Sequence, residues 1–253
     1  METLTADRRG AAADALKVAR RRERLFYAGM AVAFLLVVFA GFARSYYLKP
    51  YFGTPPAMTP LLHLHGLIFS AWIVLLLAQT ALVAAKRTRV HMRLGWAGAG
   101  LAVLMILVGT FTAVVRAKIV EVPPGSPSPL VFLTIPLGDM LVFALLAGAA
   151  VYYRRRADAH KRLMLLATIA ILPAAVARLP FDFIQQVGPL AFFGLSDLFV
   201  LVILLYDLLT RGRPHRATVL GGLLLILSHP LRLVVGHTQA WLSFATWLTD
   251  RVG

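Results

Sequence analysis

The sequence predicts an all-α integral membrane bundle of seven transmembrane helices, helix 1 followed by three helical hairpins. Three observations carry that expectation. The 253 residues are 59% hydrophobic and 15% charged, with a mean hydropathy of +0.77, which is too apolar for a single soluble core. Seven windows each supply the roughly 20 mainly apolar residues a helix needs to cross the hydrocarbon. Basic residues gather in alternate connections, as they do in membrane proteins that keep positive charge on one side.

The first span, about 26–46, follows a basic arm over residues 1–25. Alanines recur at helical spacing among the arginines of that arm, which suits a surface helix on anionic lipid as well as it suits an unstructured segment. The apolar stretch is long and no small-residue cleavage pattern follows it, so a retained helix is expected instead of a signal peptide. The remaining spans fall at about 60–85, 94–117, 130–153, 162–180, 189–210 and 217–236. Residues 26–253 form one domain, because no linker or charge block divides them. Two connections, KPYFGTPPAMTP and EVPPGSPSP, are rich in Pro, Gly and Ser; they predict stiff extended turns, either of which could fold over the outer face.

The formal charge of +15 would suggest nucleic acid in a soluble protein, but its placement excludes that reading. Of 26 Lys and Arg residues, 19 lie in residues 8–24, 86–93, 154–162 and 211–216. These segments predict a cytoplasmic N-terminus and an external C-terminus, with anionic lipid at the cytoplasmic face as the partner of the charge. Cysteine is absent, which removes disulfides, thiolate metal sites and redox dithiols.

The cytoplasmic turns KRTRVHMRLGWAGAGLAVL, RRRADAHKRLMLLATIAIL and TRGRPHRATVLGGLLLIL form a weak repeat: a basic cluster, a His, a nearby basic residue, then an apolar helix. Their histidines, His91, His160 and His215, suit the lipid headgroup layer, with the ring body down and a nitrogen in water. The functional alternative brings them together on a quinone headgroup, a nucleotide or a proton path. The strings H-M-R-L-G (91–95) and H-K-R-L-M (160–164) resemble turns in uncharacterised multi-pass proteins of the bacterial inner membrane, some similar to respiratory-oxidase accessory proteins. That resemblance covers residues 86–105 and 154–170. It implies a bacterial inner-membrane location, a haem or metal context, and a respiratory complex or quinone as partner; it implies no activity.

Ionisable groups inside the hydrocarbon are costly, roughly 2.5–3.5 kcal/mol at a helix centre, so they usually face a partner, a cavity or a cofactor. Here they gather at one depth in the outer half: His63 and His65, Asp139, Arg178 and Asp182, Asp197, and His229 with Arg232. His65, Trp72 and Gln79 recur every seven residues and share one stripe, whereas His63 points about 200° away from His65. His229 shares a face with Gly222, Arg232 and Gly236, small enough for close approach of a helix or a flat ring. Arg178 and Asp182, four apart, would neutralise one another on a helix, and Pro173 and Pro180 around them predict a bend.

Three chemistries fit this layer. A b-type haem would take His65 and His229 as axial ligands, with Arg178 or Arg232 at its propionates. A transition metal would take His63 or His65, His229, and Asp139 or Asp197. A hydrogen-bonded Arg, Asp and His network would need no cofactor. The chain has no phosphate loop, no G-x-S-x-G elbow, and no mid-membrane lysine for a retinal Schiff base. The expectation is an inner-membrane haem- or metal-binding protein with a redox or respiratory accessory role. The alternatives are a cofactor-free scaffold or assembly factor, or a small-ligand or proton-coupled transporter using Asp139 and Asp197.

Overall fold

A computed structural model describes residues 2–54, 58–120 and 128–252. Among the described residues the chain is helical with no strand. Helix α1 (Glu2–Phe42) runs without a break from the basic arm into the first span; 41 residues at 1.5 Å each reach about 60 Å, twice the hydrocarbon thickness. A π-helical turn (Ala43–Tyr47) and the short α2 (Lys49–Phe52) follow, and Gly53 ends α2 in the left-handed region at φ 58°. The Pro-rich segments expected to fold over one face lie in part, at 55–57 and 121–127, outside the described residues.

The first hairpin is α3 (Pro60–Ala84) and α4 (Thr88–Ile119); Thr59 caps α3 by accepting from Leu62 N at 3.3 Å, with Pro60 in the first position. The second is α5 (Pro129–Phe132) running into α6 (Thr134–Tyr152), then α7 (Ala157–Ile171). After α7 the chain breaks into α8 (Pro173–Val176) and α9 (Asp182–Val187). The third hairpin is α10 (Pro189–Arg211) and α11 (Arg216–Val235), and α12 (Gln239–Asp250) closes the chain. Seven of these stretches are long and apolar enough to span a membrane, in the arrangement the hydropathy predicts.

The helices alternate between an arginine-rich end, holding the connections at 85–87, 153–156 and 212–215, and a proline-rich end. At the centre α6 packs against α7. The α3/α4 pair lies to one side with α1, and α10/α11 to the other. Trp72 of α3 reaches the centre, donating from Nε1 to Thr168 Oγ1 of α7 at 3.1 Å and meeting the Phe143 ring of α6 edge-on. On the far side, Gly221 and Gly222 let α11 close on Leu166 of α7 and Val200 of α10, where a Cβ would collide. The close approach predicted for that face is therefore to helices. Large apolar side chains such as Leu107, Leu141, Leu198 and Leu209 are exposed around the bundle, as lipid contact requires.

Two elements depart from the expected pattern. The fifth span runs over Ala157–Val176 and ends before the expected 180: Pro173 starts a separate turn, residues 177–181 are not helical, and Gly188 reverses the backbone at φ 68° before α10. Helix α12 has only 12 residues, too few to cross, and lies against α4 and α5 with Trp241 Nε1 donating to Leu130 O at 2.8 Å.

Candidate functional site

At the proline-rich end, α11 gathers polar groups from both neighbours. Ser228, His229 and Arg232 lie on its inward face, and Pro230 is turned outward. Arg232, 6% exposed, donates from Nη1 to Oδ1 of Asp139 on α6, itself 5% exposed. Its Nη2 donates to Ser228 Oγ at 2.9 Å, and Ser228 in turn donates to Leu225 O. Gly138 makes the approach possible, because any Cβ there would collide with the Arg232 side chain. The pair lies in low dielectric, where each charge depends on the other.

One turn away, His229 Nδ1 faces Asp197 Oδ2 of α10 at 3.2 Å. The imidazole lies flat on the Phe193 ring, 4.1 Å between centroids and 9° between planes, and the Arg232 guanidinium lies over the same ring at 5.8 Å. Three buried polar atoms here have no partner among the described residues: His229 Nε2, Asp197 Oδ1 and Arg232 Nε. A buried polar atom without a hydrogen bond costs about 1–3 kcal/mol, so three together mark a place where stability gives way to something else.

The other predicted site residues stand apart. His65 is half-buried, stacked on Phe69 at 4.1 Å, with Nδ1 unpartnered. Phe69 lies beside Gly109 of α4 and Met140 of α6, whereas the preceding Asp139 turns to α11. Phe69 thus borders α4 and α6, whereas His229 faces Asp197 of α10. His63 is exposed, its ring 6.1 Å from Tyr46. Among the described residues no three His, Asp or Glu side chains come close enough to hold a metal ion. The structure brings together His229 with Asp197 and Arg232 with Asp139; it does not gather His63, His65, His229, Asp139 and Asp197 around one point.

The expected Arg178–Asp182 pair is replaced by another arrangement. The chain leaves the helix between them, so the i, i+4 geometry is lost. Arg178 instead donates to Ala174 O and covers the Phe42 ring at 4.9 Å.

A second buried network lies at the arginine-rich end. Arg162 of α7 is 1% exposed and Asp207 of α10 is 0% exposed. Arg162 Nε donates to Asp207 Oδ1 at 2.9 Å and Nη2 pairs with the same oxygen. Asp207 Oδ2 accepts from Thr218 Oγ1 at 2.6 Å and from the His215 backbone N at 3.0 Å. Both carboxylate oxygens are thus occupied. Nearby, Lys161 pairs with Glu23 of α1 and with Asp158. His215 caps α11 by accepting from Ala217 N at Nδ1, 3.0 Å. Burial, helped by Arg162 and Arg211, pushes its imidazole below the ordinary range.

His91 and His160 meet with ring centroids 6.3 Å apart, one from each of the first two repeat turns. His160 Nδ1 is 2.8 Å from Ala150 O and so carries the proton. With the Gln79 amide oriented to satisfy both its ends, Nε2 donates to His91 Nδ1 at 2.7 Å and the oxygen accepts from Gly95 N at 3.1 Å. Of the stripe, Trp72 and Gln79 thus tie α3 to α7 and α4, whereas His65 stacks within its own helix.

Between the two buried networks, ten residues of α11 from Thr218 to Ser228 span about 15 Å. Gly221, Gly222 and Leu225 fill that interval against Val200 and Ile203, all buried. The two networks are separated by a buried apolar layer. No family model, characterised protein or solved structure matches the chain.

Proposed function

We propose that the protein is a proton-linked membrane transporter of a small ligand, with Asp197 and His229 as the exchanging pair. The unused hydrogen-bonding capacity of that pair carries the reading. Asp207 has both oxygens occupied, whereas Asp197 keeps one oxygen and His229 one ring nitrogen free of any partner in a buried place. A carboxylate and an imidazole in that state can take up or release a proton with little rearrangement, which is what an intramembrane relay requires. Asp139 and Arg232 neutralise one another beside it and fix the local field. The apolar layer below supports the same reading, because a carrier must keep its two sides separate.

Infrared difference spectroscopy of the protein in nanodiscs at low and high pH tests the proposal. A carboxyl C=O band that rises on acidification and disappears in Asp197→Asn is expected. If no such band arises from Asp197, the pair is structural.

A further inference from the structure

A cavity of about 470 Å³ opens at the proline-rich end between the π-helical turn after α1 and the broken stretch from α8 to α10. Its volume falls within the range of small-molecule sites, roughly 300–1,000 Å³. The chain is irregular on both sides of it for identifiable reasons. On one side the π-helical turn bulges α1; on the other the chain leaves the helix at 177–181 and bends again at Gly188. Gly41 lets α1 press directly on the Ala175 carbonyl. Interrupted helices within a membrane are tolerated where they line a cavity.

The lining is one-sided in its chemistry. Arg44 and Arg178 supply two guanidinium groups, and among the described residues no carboxylate lines the space. Among the described residues neither arginine forms an ion pair; they rest on the rings of Phe52 and Phe42. Ser45, also in the lining, has a buried Oγ without a partner. Phe132, Ile184 and Phe192 make the walls apolar. Phe192 is followed by Phe193, on which His229 stacks, so the cavity and the proton pair lie back to back through one apolar cluster.

Two guanidinium groups without an ion pair among the described residues, set above apolar walls, call for an anionic oxygen headgroup carried on a hydrocarbon body. We infer that this cavity binds an anionic amphiphile, with Arg44 and Arg178 on a carboxylate or phosphate headgroup and Phe132, Ile184 and Phe192 on its apolar body. The inference rests on the proton-linked reading for its place in transport, in which a proton taken by Asp197 and His229 offsets the ligand's charge. Binding itself does not depend on that pair, so the two fail separately.

The test is direct binding of four probes to the full-length detergent-solubilised protein: decanoate, decyl phosphate, decanol and decyltrimethylammonium. The two anions should bind at one site, about tenfold or more tighter than the alcohol or the cation. Arg44→Gln and Arg178→Gln should each weaken anion binding by about tenfold or more. Gln185→Trp, which narrows the cavity without touching either arginine, should weaken both anions together. A preference for decanoate supports a free carboxylate ligand, and one for decyl phosphate a phosphate headgroup such as that of a lipid. The assignment is overturned if the folded protein binds no anion, if decanol or the cation binds as tightly, or if either arginine variant binds like the original.

Discussion

Asp197 and Asp207 stand ten residues apart on α10 and end in opposite states, one with an oxygen free and one fully hydrogen-bonded. The difference sets different expectations for the same substitution. Asp207→Asn leaves the buried Arg162 with only the half-exposed Asp158 carboxylate, 3.6 Å from its Nη1, as counter-charge, at a cost of about 3–5 kcal/mol, read as a fall in thermal stability in detergent. Replacing both residues by apolar ones of similar size should recover most of that loss. Asp197→Asn should change stability far less, because Asp197 makes one hydrogen bond at 3.2 Å. Neither Arg162 nor Asp207 stood out in the sequence. Arg162 adjoins four other basic residues of its turn, and its partner is 45 residues away, a distance that no helical spacing reports. The available signal was Asp207 itself, an acid inside an apolar span, which has to find a partner.

At the scale of the element, the start of α11 is pH-sensitive. The His215 cap works through a ring nitrogen that accepts, so it needs the neutral imidazole. Burial lowers the pKa of His215 in the folded state, so below the ordinary imidazole value of about 6.5 the unfolded chain binds the proton more readily. Stability should therefore fall as pH drops through that value, and His215→Ser, which keeps a cap without a titrating group, should lessen the fall in a thermal-melt series. The long spans were legible because membrane hydropathy dominates every other pattern. Helix α12 was not, because 12 amphipathic residues resemble neither a span nor a loop. Pro173 and Pro180 did signal the break after α7. That the break would separate Arg178 from Asp182 depended on a turn geometry their spacing alone does not contain.

For the whole molecule, depth was legible and neighbourhood was not. Counting residues from helix ends placed Asp139, Asp197, His229 and Arg232 in one layer, and the structure joins them in two pairs through α11. The same count placed His65 in that layer, where it stacks on Phe69 of its own helix, because depth says nothing about the order of helices around the bundle. The orientation expected from the charge pattern is directly testable, since the chain has no cysteine of its own. A cysteine at Tyr51 should react with a membrane-impermeant maleimide in intact cells, and one at Arg155 should react only after permeabilisation. The reverse pattern would invert the bundle.

In the proposed reading of the two buried networks, the apolar layer between them and the basic cavity, Asp197 and His229 are the pair that changes its proton. Nitrogen-15 spectra of histidine-labelled protein in nanodiscs measure that most directly, with the His229 signal identified by its loss in His229→Gln. The expected result is a His229 resonance that changes between about pH 4 and about pH 9, with a different midpoint in Asp197→Asn. A His229 signal that stays fixed across that range, or that ignores the loss of the Asp197 charge, would contradict proton exchange at this pair.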